Sequence, residues 1–153
     1  MKTELIAPCG INCAVCAWYL AREHDIKSRG VPIPYCEGYR PRDKKCAQIV
    51  KKCDLLRRKK ARYCFECPDF PCLRLKRLDE RYRARHHMSV VENLEHIRDK
   101  GIAAFLAYED ERWKCPRCGE LISCHNGLCF KCGLDDLRRR KPQNMYRWLD
   151  KTT

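Results

Sequence analysis

The sequence is poor in the aliphatic and aromatic residues that build an ordinary hydrophobic core. Leu, Ile, Val and Phe together supply only about a fifth of the 153 residues, whereas charged residues supply 35%. Chains with so few apolar residues and so many charges stay disordered unless another interaction organises them. The 14 cysteines can provide that interaction, as disulfides or as metal ligands.

Long hydrophobic segments are missing as well. Residues 1–10 lack the apolar stretch of roughly 7 to 15 residues that a secretory signal requires, and nothing later approaches the roughly 18 apolar residues of a membrane span. We therefore expect a cytoplasmic protein without membrane contact. Because the cytosol is reducing, its clustered cysteines are expected to bind metal rather than to form disulfides.

Acidic residues are scarce relative to basic ones, and the formal net charge is +13. Residues 36–87 hold 17 Lys and Arg but only 7 Asp and Glu, which gives +10. We expect this basic face to contact RNA, DNA or a nucleic-acid-bound protein, because Lys and Arg neutralise phosphates. The alternative is that the positive charge compensates anionic metal sites. Aromatic side chains are available for stacking on bases: Tyr63, Phe65, Tyr82, Tyr146 and Trp148.

The clearest metal-binding pattern lies near the C-terminus. Cys115 and Cys118 form one C-x2-C motif, Cys129 and Cys132 form another, and a glycine follows each motif. Two intervening residues let a tight turn direct both sulfurs at one ion, and four thiolates complete a tetrahedral zinc site. We therefore predict a zinc ribbon over residues 114–134.

The segment between these two motifs favours a hairpin turn at Asn126-Gly127. Cys124 and His125 lie directly beside this turn. Either side chain could compete as a ligand. Because the four other cysteines already complete a tetrahedral site, we interpret both as spare.

The first three cysteines have a spacing that is also found in an enzyme class. Cys9, Cys13 and Cys16 form C-x3-C-x2-C, by which radical SAM enzymes hold three irons of a four-iron cluster. Those enzymes build most of a β/α barrel, and this chain has neither the length nor the alternating strands and helices for one. No Ser-His-Asp arrangement, phosphate-binding glycine loop or carboxylate pair is recognisable. We therefore assign no catalytic residue and expect a protein that is not an enzyme.

The N-terminal cysteines form an ordered series of short motifs. Residues 7–16 (APCGINCAVC) are followed by Cys36-Glu-Gly, by Cys46 and Cys53, and by residues 64–72 (CFECPDFPC). Together these motifs resemble the DUF3795 family over roughly residues 5–113. The resemblance implies a small cysteine-rich scaffold that binds metal, and it implies no particular reaction. One departure is Tyr39, which stands where the family often has the second cysteine of a C-x-G-C motif.

Nine N-terminal cysteines fit two four-cysteine sites with one remainder. Closeness along the chain assigns to the first site Cys9, Cys13, Cys16 and Cys36. It assigns to the second site Cys46, Cys53, Cys64 and Cys67. Sharing between the two sites is an open alternative, in which the remaining Cys72 displaces Cys9 or Cys46.

Zinc is the expected metal, at about three sites in the whole chain, because thiolate pairs two residues apart are typical of zinc proteins. The alternative is an iron–sulfur cluster at Cys9, Cys13 and Cys16 that serves in electron transfer or sensing.

Helical patterns fill the long interval without cysteines. Ser89 and Glu92 form a capping box, and Gly101 favours the end of the helix that follows. Helices are predicted over residues 12–20, 73–85, 90–100 and 102–111.

The sequence as a whole predicts a small α+β fold that is organised by metal, with short helices, cysteine knuckles and a C-terminal zinc ribbon hairpin. We expect residues 1–87 to form a DUF3795-like metal-binding module and residues 88–113 a helical connector packed on it. Residues 114–134 would be the ribbon and residues 135–153 a basic tail. The expected function is that of a zinc-binding adaptor or interaction module.

Overall fold

The structure is a computed structural model that describes residues 1–42 and 49–149. These residues fold mainly into helices. The α-helices are α1 (Ala17–Glu23), α2 (Tyr39–Arg42), α3 (Ile49–Lys52), α4 (Asp54–Arg57), α5 (Leu73–His86), α6 (Val90–Lys100), α7 (Ile102–Arg112) and α8 (Leu134–Arg139). Short 3-10 turns occupy Thr3–Leu5, Cys13–Val15, Cys64–Glu66 and Pro142–Asn144.

The long helices α5, α6 and α7 form where the sequence predicts them. The Ser89 hydroxyl accepts a hydrogen bond of 3.0 Å from the backbone N–H of Glu92, which confirms the predicted cap of α6. Gly101 separates α6 from α7 with a φ of +86°, a conformation that glycine adopts without strain. The helix predicted over residues 12–20 is divided instead, because Cys16 has extended backbone between the 3-10 turn and α1.

The predicted α+β fold with a zinc ribbon hairpin is wrong. Among residues 1–42 and 49–149 there is no strand, and extended pairing is limited to isolated bridges at Ile6–Asn12, Lys114–Leu121 and Ile122–Cys129. The pairing near the C-terminus ends at Ser123, because the return bond that would extend it is not made. The backbone N–H of Leu128 donates to the Asn126 side chain at 3.0 Å, and the Ser123 carbonyl oxygen accepts from the Gly127 N–H at 2.8 Å instead.

One core cluster joins the N-terminal loops to α5, α6 and α7. Leu75 of α5, Leu94 of α6 and Phe105 of α7 are fully buried in it together with Ile6. Burying each such side chain contributes about 1.5 to 3 kcal/mol to the free energy of unfolding. The same cluster contains three of the predicted ligand cysteines: Cys9, Cys13 and Cys64.

Gly10 lets the first cysteine loop approach α6 closely. Its φ is +88°, and a Cβ at this position would lie 2.4 Å from the Val90 carbonyl oxygen. The Asn93 side chain donates to the Gly10 carbonyl oxygen at 2.9 Å. The loop that carries Cys9 and Cys13 is therefore fixed against a helix from the middle of the chain.

A second core cluster joins α1 to the C-terminal part of the chain. Leu20 of α1 and Ile33 of the following loop are buried together with Phe130, Leu137 of α8 and Met145. Segments from both ends of the sequence thus share one apolar interior. No helix among the described residues is both long and apolar enough to cross a membrane.

Candidate metal centres

The four predicted C-terminal ligands converge on one point, and we call them the C-terminal cysteine group. The sulfur atoms of Cys115, Cys118, Cys129 and Cys132 all lie within 4.8 Å of one another. The Sγ–Sγ distance is 3.6 Å between Cys115 and Cys132 and 3.5 Å between Cys118 and Cys129. A zinc–sulfur bond of about 2.3 Å in a tetrahedron separates the sulfurs by about 3.8 Å. This group has the geometry to hold one metal ion.

Backbone hydrogen bonds shape the two loops that carry these sulfurs. The N–H of Gly119 donates to the Cys115 carbonyl oxygen at 2.9 Å, and the N–H of Gly133 donates to that of Cys129 at 2.9 Å. Each bond closes one C-x2-C loop, so its two sulfurs point to the same side. The guanidinium of Arg117 donates to the Cys132 carbonyl oxygen at 3.0 Å and ties the first loop to the second.

The thiols of the C-terminal cysteine group differ in how readily they ionise. Burial opposes ionisation of Cys115, but backbone N–H groups of Arg117 and Cys118 donate to its sulfur and bring its pKa down to about 6. Burial raises the pKa of Cys129 to about 12. A divalent cation at the centre would supply the charge that keeps all four sulfurs as thiolates.

The predicted first N-terminal site is a looser group. Burial raises the pKa of the Cys13 thiol, and the nearby charges of Cys16, Cys9 and Cys36 raise it further. The Cys36 sulfur accepts hydrogen bonds from the Arg42 guanidinium at 3.0 Å and from the Gly38 N–H. The structure therefore brings these four cysteines into one neighbourhood. Among the described residues, however, no three N-terminal sulfurs lie within 4.8 Å of one another.

Tyr39 lies at the position where the resemblance in sequence led us to expect another cysteine. It is buried in the main core cluster, and its backbone N–H donates to the Cys13 sulfur. This position thus contacts the first group through its backbone instead of a thiolate.

The predicted second N-terminal site has one changed member. Cys53, Cys64 and Cys67 line a cavity of about 430 Å³ together with Cys72, which the sequence left over. The predicted Cys46 lies outside the described residues. The cavity therefore groups Cys72 with Cys53, Cys64 and Cys67, as in the open alternative in which Cys72 displaces Cys46.

Cys124 is a buried thiol that the sequence interpretation treated as spare. Its sulfur lies 3.4 Å from Nδ1 of His125, and that same nitrogen accepts a hydrogen bond from the N–H of Ala17. Burial raises the pKa of Cys124, and the nearby charges of Cys16 and Cys13 add to this effect. Cys124 therefore lies beside the first N-terminal group. The available sequence signal was the odd number of cysteines in the C-terminal half.

The comparisons with known proteins concern the N-terminal half. Residues 5–77 match the family model DUF3795, a protein of unknown function. The match supports the predicted family and covers a shorter stretch than the predicted resemblance. No curated protein and no solved structure matches the chain. The DUF3795 segment contains both N-terminal cysteine groups, and the C-terminal cysteine group lies outside it.

Basic side chains gather between α3, which lies within the matched residues 5–77, and α5, which extends beyond them. Lys52, Arg74, Arg77 and Arg81 are exposed and line a groove of about 320 Å³ between α3 and α5. We call it the basic groove.

Several aromatic residues that were expected to stack on bases have partners inside the protein instead. Tyr63 is 5% exposed, and the Trp148 indole donates to the Cys124 carbonyl oxygen at 2.7 Å.

Proposed function

We propose that this protein is a zinc-binding interaction module. The convergence of four sulfurs in the C-terminal cysteine group carries the proposal, because separations of 3.5 and 3.6 Å agree with the edge of a zinc–thiolate tetrahedron. Four-thiolate zinc sites are typical structural sites, since they leave no open position for a substrate. The zinc ion would hold the two C-x2-C loops together against the second core cluster.

The partner that the surface favours is a nucleic acid. The basic groove presents four cationic side chains along two helices, and their spacing along α5 repeats about every turn at Arg74, Arg77 and Arg81. Such a row can follow a phosphate backbone without reading its sequence. The proposed role is therefore that of an adaptor that binds RNA or DNA through backbone charge.

Metal analysis of the full chain tests the zinc proposal. We predict that Cys129→Ser lowers the zinc content by about one ion per chain, because three thiolates bind zinc far more weakly than four. The measurement is elemental analysis of protein purified without added metal. The matched control is Cys124→Ser, which removes another buried thiol of the same half and leaves the C-terminal cysteine group complete. Equal zinc content in wild type and Cys129→Ser would rule out the site.

A further inference from the structure

One cavity in the DUF3795 segment has four cysteines in its wall. Cys53, Cys64, Cys67 and Cys72 line it, and its volume is about 430 Å³. A water molecule takes up about 30 Å³ of liquid, so the space exceeds what a single ion bonded to four sulfurs would fill. Much of the remaining wall is apolar: Ile49, Leu55, Leu56, Ala61, Phe70 and Leu75.

Local backbone structure places the four thiols around this space. The 3-10 turn Cys64–Glu66 ends in a hydrogen bond of 3.1 Å from the Cys67 N–H to the Cys64 carbonyl oxygen, which presents two of the thiols from one turn. The N–H of Cys64 donates to the Pro8 carbonyl oxygen at 2.9 Å and anchors this turn to the N-terminal loop. Cys53 directly precedes α4, and Cys72 directly precedes α5.

The spacing of these sulfurs differs from that of the C-terminal cysteine group. In the part of the chain that the structure describes, no three of them lie within 4.8 Å of one another, whereas all four sulfurs of the C-terminal cysteine group do. A single zinc ion draws its four thiolates to about 3.8 Å from each other. A four-iron cluster binds each thiolate at a different iron atom and therefore holds the sulfurs farther apart.

The wall of the cavity carries two cations, Lys52 and Arg74, and two carboxylates, Asp54 and Asp69, of which Asp54 pairs with Arg57. The 14-residue helix α5 begins directly after Cys72, so the positive end of its dipole lies there and favours an anionic metal cluster.

We propose that Cys53, Cys64, Cys67 and Cys72 bind an iron–sulfur cluster of the four-iron type in this cavity. The proposal goes beyond the zinc site, because it concerns other thiols and another metal. It also replaces Cys46 of the sequence-based assignment with Cys72, and it requires no contribution from Cys9, which is fully buried but does not line the cavity.

The first test is anaerobic reconstitution of the full chain with sulfide and equal amounts of ferrous and ferric iron, because the oxidised four-iron cluster holds two iron atoms at each level. We expect about four iron and four sulfide per chain, a brown colour from sulfur-to-iron charge transfer, and a paramagnetic signal after reduction with dithionite. Cys72→Ser is expected to lose most of the iron, whereas Cys46→Ser keeps it. The reverse order of these two variants would overturn the proposal.

A second test needs no substitution and so does not depend on whether a variant folds. Wild-type protein is alkylated after reconstitution, and the modified cysteines are located by mass spectrometry. We expect Cys53, Cys64, Cys67 and Cys72 to be protected, with protection lost when the cluster is destroyed by oxidation. Colourless protein with zinc in place of iron, or iron-loaded protein in which Cys72 reacts freely, would contradict the cluster.

The zinc content of the C-terminal cysteine group distinguishes failure of the cluster proposal from failure of the proposed zinc-binding function. If Cys129→Ser loses zinc while no iron binds at the cavity, the zinc module stands and the cluster proposal fails. If iron binds and Cys129→Ser leaves zinc unchanged, the cluster stands and the zinc proposal fails.

Discussion

At the residue scale, Gly127 shows how closely the C-terminal segment packs. Its φ is +71°, and an added Cβ would lie 2.4 Å from the Trp148 ring. We predict that Gly127→Ala lowers the free energy of unfolding by roughly 2 to 4 kcal/mol, as the sum of a left-handed backbone cost and an overpacking cost. Urea denaturation of the purified full chain measures the change.

Gly30→Ala is the matched control for this prediction. Gly30 has a φ of +88°, but an added Cβ there meets nothing within 4 Å. Its cost is expected to be the backbone cost alone, roughly 1 to 2 kcal/mol. Equal destabilisation by the two substitutions would show that Trp148 does not pack on Gly127 in solution.

Glu109 is a second residue whose environment decides its role. It is fully buried, and one carboxylate oxygen accepts hydrogen bonds of 2.9 Å from the Asn12 side chain and of 2.9 Å from the Trp113 indole. Its other oxygen faces the Arg112 guanidinium at 3.2 Å. Because Asn12 begins the turn that carries Cys13, this carboxylate holds the first cysteine loop on α7.

We predict that Glu109→Gln lowers the free energy of unfolding by about 1 to 3 kcal/mol, since the amide weakens these buried bonds and brings N–H groups toward other donors. The control is Glu111→Gln on the same helix, where the carboxylate pairs with Lys114 at 2.9 Å but is largely exposed. That change should cost no more than about 1 kcal/mol. Denaturation curves that coincide for the two variants would refute the buried role of Glu109.

At the element scale, Asp79 joins α5 to the start of α6. One of its oxygens accepts from the Ser89 hydroxyl at 2.8 Å and from the Val91 N–H at 3.0 Å, and the other accepts from Arg83 at 2.7 Å. Burial alone would raise the pKa of this carboxyl, but these bonds outweigh burial and hold the pKa below the ordinary 3.8. The carboxylate therefore orients α6 through its N-terminal turn.

We predict that Asp79→Asn lowers the free energy of unfolding by about 1 to 3 kcal/mol at neutral pH. A depressed folded-state pKa contributes stability above the unfolded-state pKa, and that contribution is lost as pH falls through the folded-state pKa. The difference between wild type and variant should therefore shrink below pH 3.8. Unfolding measured from neutral to acidic pH, with the exposed Glu80→Gln as control, tests this. A difference that stays constant over the whole range would contradict it.

At the scale of the whole molecule, the basic groove predicts salt-dependent binding to nucleic acid. Each Lys or Arg that neutralises a phosphate adds about one to the slope of log affinity against log salt concentration. We predict that the double variant Arg77→Ala, Arg81→Ala makes this slope shallower by about 1.4 for a single-stranded RNA of mixed sequence, because each contact contributes about 0.7 on a single strand. Fluorescence anisotropy at several salt concentrations is the measurement.

Arg139→Ala is the control for the groove, because Arg139 is an exposed cation of α8 outside it. Its removal should leave the slope close to that of the wild type. Two results would argue against the groove as a phosphate contact. One is binding that does not depend on salt concentration, and the other is an equal change of slope in the double variant and in Arg139→Ala.

Much of the local structure was predictable, because it depends on neighbours in the sequence. The cap at Ser89, the helical intervals of α5 to α7 and the convergence of Cys115, Cys118, Cys129 and Cys132 follow from periodicity and from the short reach of a C-x2-C loop. The strands expected on either side of Asn126-Gly127 do not form, since the Leu128 N–H bonds to the Asn126 side chain and the pairing ends at Ser123.

By itself, the amino-acid sequence determined that thiol groups must supplement a small apolar core, and which segments form the long helices. Only the tertiary structure decided how the remaining cysteines group. It placed Cys72 with Cys53 and Cys64 around one cavity, one of the arrangements that the sequence left open, and it placed Cys124 beside Cys16 from the other end of the chain. The physical reason is that spacing along the chain constrains only sulfurs within one tight turn. Pairing between turns is set by the packing of the helices and loops that carry them.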